Sequence, residues 1–213
     1  MTYAELRTYV LDRLSIDATD TAKVTQINNL LNTEYRRIVG EERLNVTKAS
    51  LALVADSPLV DLPDDWVETL SIKRGDTVMI PASFEKFSEL EAQGTSSGYG
   101  SPTFYFQESP DRLRVFPTPT AFDLDLTDIY YVARPTAMSS DSHTPSCIPV
   151  EYHDMLAELV INRIAMSEEA FDLAQSAKQI ADELRVRMLG QMKRRQGPST
   201  RRIRLAVYHG PGL

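Results

Sequence analysis

Apolar residues recur at helical spacing in the first forty residues of the chain. Positions three and four residues apart lie on the same side of a helix, so the spacing predicts two helices with one apolar face each. Thr2 and Glu5 form a capping-box sequence at the first helix start, and Gly40 is the expected end of the second helix. The two predicted stripes are Tyr3, Leu6, Val10 and Leu14, and then Val24, Ile27, Leu31, Tyr35 and Ile38.

Helical spacing returns after a polar loop at residues 139–146. Ser167 is followed by two acids, which predicts a fresh helix start with negative charge at the positive end of the dipole. The apolar face after it continues for about 25 residues, or roughly 38 Å of helix. The two predicted stripes are Tyr152, Met155, Leu156, Leu159 and Ile164, and then Ala170, Leu173, Ala174, Ala177, Ile180, Ala181, Leu184 and Met188.

Residues 46 to about 135, between these helical segments, contain short β-prone runs separated by turn sequences. One short helix with a serine cap interrupts them at residues 83–92, and a Gly/Ser-rich loop follows at residues 94–102. Imperfect alternation between Leu124 and Tyr130 suggests a bulge or a register change. The runs predict a small antiparallel sheet or sandwich. They read TKASLALV, WVETLSIKR, TVMI, TFYFQ, LRVF and DLDLTDIYYVA.

Together these segments predict an α+β protein. Helices at both ends of the chain would form an antiparallel bundle from residues 1–45 and 148–195, since each apolar stripe needs a covering partner. Residues 46–147 would be inserted as the β-rich part. Gly197 and Pro198 stop the last helix, so residues 196–213 would form an extended arm.

Composition argues against a disulfide-linked, secreted or membrane protein. Cys147 is the only cysteine among 213 residues, so an internal disulfide is excluded and a reducing compartment is favoured. No segment approaches the ~20 apolar residues of a membrane helix. The first residues lack the basic start and apolar run of a signal peptide. We therefore expect synthesis in the cytosol and no membrane partner.

Charge is divided unevenly along the chain. Of its 23 basic residues, six lie in residues 193–213, where no acid occurs. The remaining 17 basic residues face 30 acids, so an acidic body of charge −13 carries a tail of charge +6. This asymmetry indicates that the tail contacts a partner.

Apolar residues alternate with the arginines of this tail. In an extended chain Ile203, Leu205 and Val207 share one face, and Arg202, Arg204 and Tyr208 share the other. The pattern suits strand addition to a protein partner. A solvated chain end and a phosphate-binding tail are the alternatives, and the acidic body argues against a dedicated DNA-binding protein.

The sequence matches catalytic and metal-binding motifs only weakly. Residues 94–98 spell GxSxG, but this motif needs a preceding strand and a following helix, so a hydrolase built on Ser96 is disfavoured. Asp123, Asp125 and Asp128 lack the glycine and the closing glutamate of a calcium loop, and the first two are expected on the wet face of a strand.

Other candidate residues are better explained by structure than by chemistry. Turn formation around Pro63 and Trp66 explains the acids Asp61, Asp64 and Asp65. No pair of histidines has zinc-binding spacing, and nothing flanking His143 and Cys147 supports a nucleophile pair. We predict no enzyme, no cofactor and no metal site. The three dispersed histidines are His143, His153 and His209.

Several short motifs, taken together, resemble those of bacteriophage head-to-tail adaptor proteins, also called connector or neck proteins. The resemblance covers roughly residues 1–195. Its motifs are LPDDWVE at 62–68, SPTFY at 101–105, LRVFPTP at 113–119, IYY at 129–131, IP at 148–149 and YH at 152–153.

The resemblance implies a structural protein of the virion neck, assembled in the host cytoplasm. It implies a homo-oligomeric ring, typically of twelve copies, that binds the portal protein, extends the channel for viral DNA and offers a surface to the tail or a second neck protein. A nucleic-acid-associated protein that uses the tail is the alternative function. The portal-docking arm that the resemblance implies consists of Arg201, Arg202, Ile203, Arg204, Leu205, Val207 and Tyr208.

Overall fold

The computed structural model describes residues 1–92, 98–124 and 126–195. It divides into two compact units, which we call the helical unit and the β unit. The helical unit comprises Met1–Glu34 and the chain from Met138 onward, and the β unit comprises Tyr35–Ala137. Five α helices and two sheets in these residues confirm the α+β class. The predicted domain boundaries and the antiparallel bundle remain predictions.

Helix α1, Tyr3–Leu14, begins with the predicted capping box. The Thr2 side chain accepts a hydrogen bond from the Glu5 N–H at 3.3 Å, and the Glu5 carboxylate accepts one from the Thr2 N–H at 2.8 Å. Each bond satisfies an N–H that has no partner within the helix. The helix ends at Ser15, which has a left-handed φ of 52°.

Helix α2, Thr21–Glu41, starts at Asp20, whose carboxylate accepts hydrogen bonds from the N–H groups of Ala22 and Lys23. The predicted end at Gly40 is wrong, because the helix continues through Glu41. The left-handed position lies instead at Arg43, with φ 53°. Gly40 is therefore in the last turn of α2, one residue before the helix ends.

Helices α4, Asp154–Ser167, and α5, Phe171–Arg195, follow a single 3₁₀ turn at Val150–Tyr152. The predicted helix start at Ser167 is wrong. This residue ends α4, where its hydroxyl donates to the Ile164 carbonyl at 2.7 Å, and the chain reverses at Glu169 with φ 61°. Both α1 and α5 pack against α4.

Small residues line the contact of α5 with the rest of the helical unit. The alanine stripe, Ala174, Ala177 and Ala181, is at most 1% exposed, as expected for a close helix approach. Leu173 and Leu184 are half-buried, and Ile180 is 38% exposed. The buried face of α5 is thus narrower than the predicted stripe.

The β unit contains two four-stranded sheets, with strand orders β1-β8-β3-β4 and β2-β7-β6-β5. Every pairing is antiparallel except that of β5 with β6. Apolar side chains from both sheets form one buried cluster, so the sheets enclose a shared core. The strands are β1 Val46–Leu51, β2 Leu59–Asp61, β3 Trp66–Arg74, β4 Thr77–Val78, β5 Ile80–Pro81, β6 Phe104–Ser109, β7 Arg112–Phe116 and β8 Thr127–Ala133.

Three local expectations for the β unit have different outcomes. Helix α3, Phe84–Ala92, lies where the short helix was predicted, with the Ser83 hydroxyl accepting from the Lys86 N–H at 3.3 Å. Strand β2 was missed, because three residues are too few to show a pattern. The register shifts lie on β3, between Trp66 and Glu68 and between Thr69 and Ser71, rather than in a bulge of β8.

No helix in residues 1–92, 98–124 or 126–195 is long and apolar enough to span a membrane.

Enlarging a buried alanine of α5 tests the close packing. We expect Ala177→Leu to lower the free energy of unfolding by about 1–3 kcal/mol, because the added side chain has no space. Lys178→Leu, at the next and exposed position, is the matched control and should change it by less than about 0.5 kcal/mol. Equal urea-unfolding midpoints for the two variants would contradict the assignment.

Candidate interaction surfaces

The seven predicted arm residues, Arg201 to Tyr208 without Ala206, lie outside the described residues. His209 and residues 94–97, which include Ser96 of the GxSxG sequence, also lie outside the described residues. The docking arm therefore stays a prediction, and the structure does not test the disfavoured hydrolase on Ser96. What the structure describes is the helix that precedes the arm and the surfaces of the two units.

The helix before the arm, α5, is fixed along its inner face. The Asn162 side chain of α4 donates to the Ala174 carbonyl at 2.8 Å, next to the buried alanine stripe. The outer face is polar and of mixed charge, with Lys178, Asp182 and Glu183 exposed. Apolar residues are also exposed on this helix, among them Phe171 at 61% and Val186 at 70%.

A buried carboxylate joins α1 to α4. Glu158 is fully buried and accepts a hydrogen bond from the Tyr9 hydroxyl at 2.6 Å, and an Arg13 guanidinium nitrogen lies 3.7 Å from the same oxygen. Burial, together with the Glu158 carboxylate, raises the pKa of Tyr9 to about 12. The second Glu158 oxygen has no partner in the described part of the chain. Because a lone buried charge is costly, the tyrosine is structurally important.

A second ion pair in the helical unit links α2 to α4. Arg163 contacts the buried Glu34 at 2.9 Å. Near it, the Asn32 amide nitrogen donates to the Met138 carbonyl at 3.0 Å, while its oxygen accepts from the Met138 N–H at 2.7 Å. These contacts bring the chain after the β unit back onto α2.

Asp64 and Asp65 lie in a turn before Trp66, as predicted, but the prediction is wrong for Asp61, which is the last residue of β2. The Trp66 N–H donates to the Pro63 carbonyl at 2.9 Å, and the Asp65 carboxylate accepts the Tyr131 hydroxyl at 2.9 Å. Burial and then this hydrogen bond raise the pKa of Tyr131 to about 12. Asp61 lies on β2, where it pairs with Arg112 at 2.9 Å.

Asp123 organises a loop and does not lie on a strand, because β8 begins only at Thr127. Its carboxylate accepts the hydroxyls of Ser101 and Thr120, each at 2.5 Å, and the Thr120 N–H at 3.3 Å. These hydrogen bonds, that of Ser101 first, lower the pKa of Asp123. The expectation that Asp123 faces water from a strand is wrong. Asp125 lies outside the described residues.

Asp128 and the two described histidines have structural partners. Asp128 pairs with Lys48 at 2.7 Å on the neighbouring strand. Both ring nitrogens of buried His153 are engaged, one with the Ile148 carbonyl at 2.9 Å. The His143 ring accepts the Ser139 N–H at 3.1 Å. Within the described ranges no group of three or more His, Cys, Asp and Glu residues could hold a metal ion.

Comparison with known protein families shows what the chain is similar to. The family model described as "SU10 adaptor protein" matches residues 1–204, which is nearly the whole chain. No curated protein matches the chain.

Removing the Tyr9 hydroxyl tests the buried contact between α1 and α4. We expect Tyr9→Phe to lower the free energy of unfolding by about 1–3 kcal/mol, because the buried Glu158 carboxyl group would lose the donor of its 2.6 Å hydrogen bond. Tyr152→Phe is the control, since this half-buried hydroxyl makes no hydrogen bond within the described chain. A Tyr9→Phe protein as stable as the control in urea would show that the contact contributes nothing.

Proposed function

The chain belongs to the SU10 adaptor protein family, a family of phage head-to-tail adaptors, and from this premise we propose how it joins head and tail. The family supports a structural adaptor role. In our proposal the chain forms a ring of about twelve copies on the portal protein. The ring extends the DNA channel and gives the tail, or a second neck protein, its attachment surface.

The observation that carries the proposal is the extent of the family match, which runs from residue 1 to residue 204 and so includes both described units. An adaptor of this family implies contact with portal and tail proteins and a place in the virion neck. Its role is structural, and we propose that the chain has no enzymatic activity.

We propose that the residues after α5 dock into the portal. The segment consists of Arg201, Arg202, Ile203, Arg204, Leu205, Val207 and Tyr208, of which the first four lie within the family match. Alternating apolar and basic residues suit an extended strand that buries one face in a protein groove. The described contacts of α5, at Ala174 and along the alanine stripe, anchor the first half of the helix that leads to this segment.

The acidic charge of the body suits a channel for DNA. Excluding residues 193–213, the chain carries 17 basic and 30 acidic residues. A wall with net negative charge repels phosphate, so DNA would pass without binding.

A second candidate function uses the same tail to bind nucleic acid. It is favoured by the six cations and the absence of acids in residues 193–213. Such binding is dominated by released counterions and would weaken steeply with salt.

Deleting residues 197–213 tests the docking arm. We expect a protein with an unchanged urea-unfolding midpoint whose affinity for portal rings falls at least tenfold, about 1.4 kcal/mol, in a pull-down titration. Replacing Ile203, Leu205 and Val207 by serine, which keeps every charge, should have nearly the same effect. Undiminished portal binding by the truncated protein would contradict the arm assignment.

Replacing Arg201, Arg202 and Arg204 by glutamine separates the two functions. If the tail binds nucleic acid, a gel shift seen at low salt with the unaltered chain should disappear in this variant. We expect instead no shift with either protein at micromolar concentration. A shift that depends on these arginines and falls steeply with salt would favour the second function.

A further inference from the structure

One side of helix α5 is exposed along most of its length. The helix packs against α4 and against the 3₁₀ turn at Val150–Tyr152, and the alanine stripe and Met188 are buried on that side. Residues three or four positions apart share a face of a helix. Five exposed residues at this spacing form a row on the other side, which we call the outer stripe: Gln175, Gln179, Asp182, Val186 and Gly190.

Two positions of the outer stripe are unusual for a helix surface that faces only water. Val186 is 70% exposed. Gly190, one turn later, is open, because no described atom lies within 4 Å of the place where its Cβ would be. A glycine inside a helix is destabilising relative to alanine, and glycine allows another backbone to come close. These two positions therefore suit a chain segment that lies along the helix.

Charge divides α5 and the chain after it into two parts. From Phe171 to Glu183 there are three acids and one lysine, whereas residues 184–213 contain eight lysines and arginines and no acid. Asp182, in the outer stripe, forms no ion pair within the described part of the chain. The first half of α5 is thus complementary in charge to the segment that follows the helix.

The segment after α5 is long enough to return along the outer stripe. Gly197 and Pro198 stop the helix, and an extended chain advances about 3.3 Å per residue against about 1.5 Å in a helix. Five residues after a reversal at Pro198, Ile203 would lie about 16 Å back, or roughly eleven residues before the end of α5. The same arithmetic brings Ile203 within one turn of Val186, and Arg204 next to Asp182.

We propose that residues 198–208 of the free chain fold back along the outer stripe of their own α5, an arrangement that we call the latch. Ile203 packs on Val186, so the apolar face of the arm is removed from water. The Arg204 side chain is long enough to reach Asp182 from the edge of the extended segment. Gly190 leaves room for the residues just after the reversal.

Attachment to the helix makes a weak contact sufficient. A segment held by a short linker has an effective concentration in the millimolar range, so a contact with a Kd of about 1 mM is formed in roughly half of the chains. A portal groove that accepts the whole arm as a strand would compete with the latch and open it. The latch thus restrains the arm until the portal is present. This consequence rests on the proposed function, whereas the contact itself does not.

Disulfide trapping in the full chain tests the latch. In a Cys147→Ala background, a chain with Val186→Cys and Ile203→Cys is oxidised with glutathione at low protein concentration. We expect a disulfide-linked monomer that forms at a rate independent of protein concentration. The control carries Val150→Cys and Ile203→Cys, because Val150 is 65% exposed on the 3₁₀ turn that contacts α5. Its disulfide should form at least tenfold more slowly.

Equal rates in the two proteins overturn the proposal. So does a disulfide-linked dimer whose yield rises with protein concentration, because the arm would then lie on a second copy. The substituted positions Val186 and Val150 are exposed, so both proteins should unfold at the same urea concentration as the unaltered chain.

Charge reversal tests the position of the arm on the helix. We expect Asp182→Lys to slow the Val186–Ile203 disulfide at least fivefold, and Arg204→Glu in the same chain to restore the rate. Asp12→Lys, at an exposed position of α1, makes the same change in net charge and should leave the rate unaltered. A rate that Asp182→Lys does not change overturns the latch as proposed.

Portal binding distinguishes failure of the latch from failure of the proposed function. We expect the disulfide-closed chain to bind portal rings at least tenfold more weakly than the same chain after reduction. Chains that bind portal and form the disulfide no faster than the control retain the adaptor function and overturn the latch. Chains that form it rapidly and bind portal equally well when closed and reduced retain the latch and contradict the docking arm.

Discussion

The burial of α4 is the constraint on which the helical unit depends. Met155, Leu156, Val160 and Ile161 are fully buried, so this helix needs covering on more than one side. Helices α1 and α5 supply that cover, although they lie at opposite ends of the sequence. Because α4 is buried, Glu158 is buried with it, and the Tyr9 hydroxyl becomes necessary. A scaffold built in this way anchors the first half of α5 on α4.

The β unit is organised around a different constraint, which is the single core that its two sheets share. The loops around this core are held by side-chain hydrogen bonds. Asp123 accepts the hydroxyls of Ser101 and Thr120, and this fixes the loop that precedes β8.

Sequence reasoning predicted those parts of the fold in which burial follows a regular spacing. The length of α5 was predicted from such a spacing. The capping box at Thr2 was predicted from a local motif instead. The three-residue strand β2 and the end of α2 at Glu41 were not predicted, because short-range features decide them, such as the left-handed residue Arg43 just after the helix. Ser167 looked like a helix cap and ends a helix instead, since its hydroxyl bonds backward to Ile164.

The surfaces were harder to predict than the fold. The alternation of Phe122 and Leu124 with acids reads as a strand, but the side-chain hydrogen bonds of Asp123 hold this segment in a loop. The family resemblance, by contrast, was confirmed by the family match over residues 1–204.

Cryo-electron microscopy of the purified chain mixed with its portal rings is the measurement that tests the adaptor function most directly. The account predicts an additional closed ring of density, coaxial with the portal, into which both described units fit. Portal particles that look the same with and without a saturating amount of the chain would contradict it.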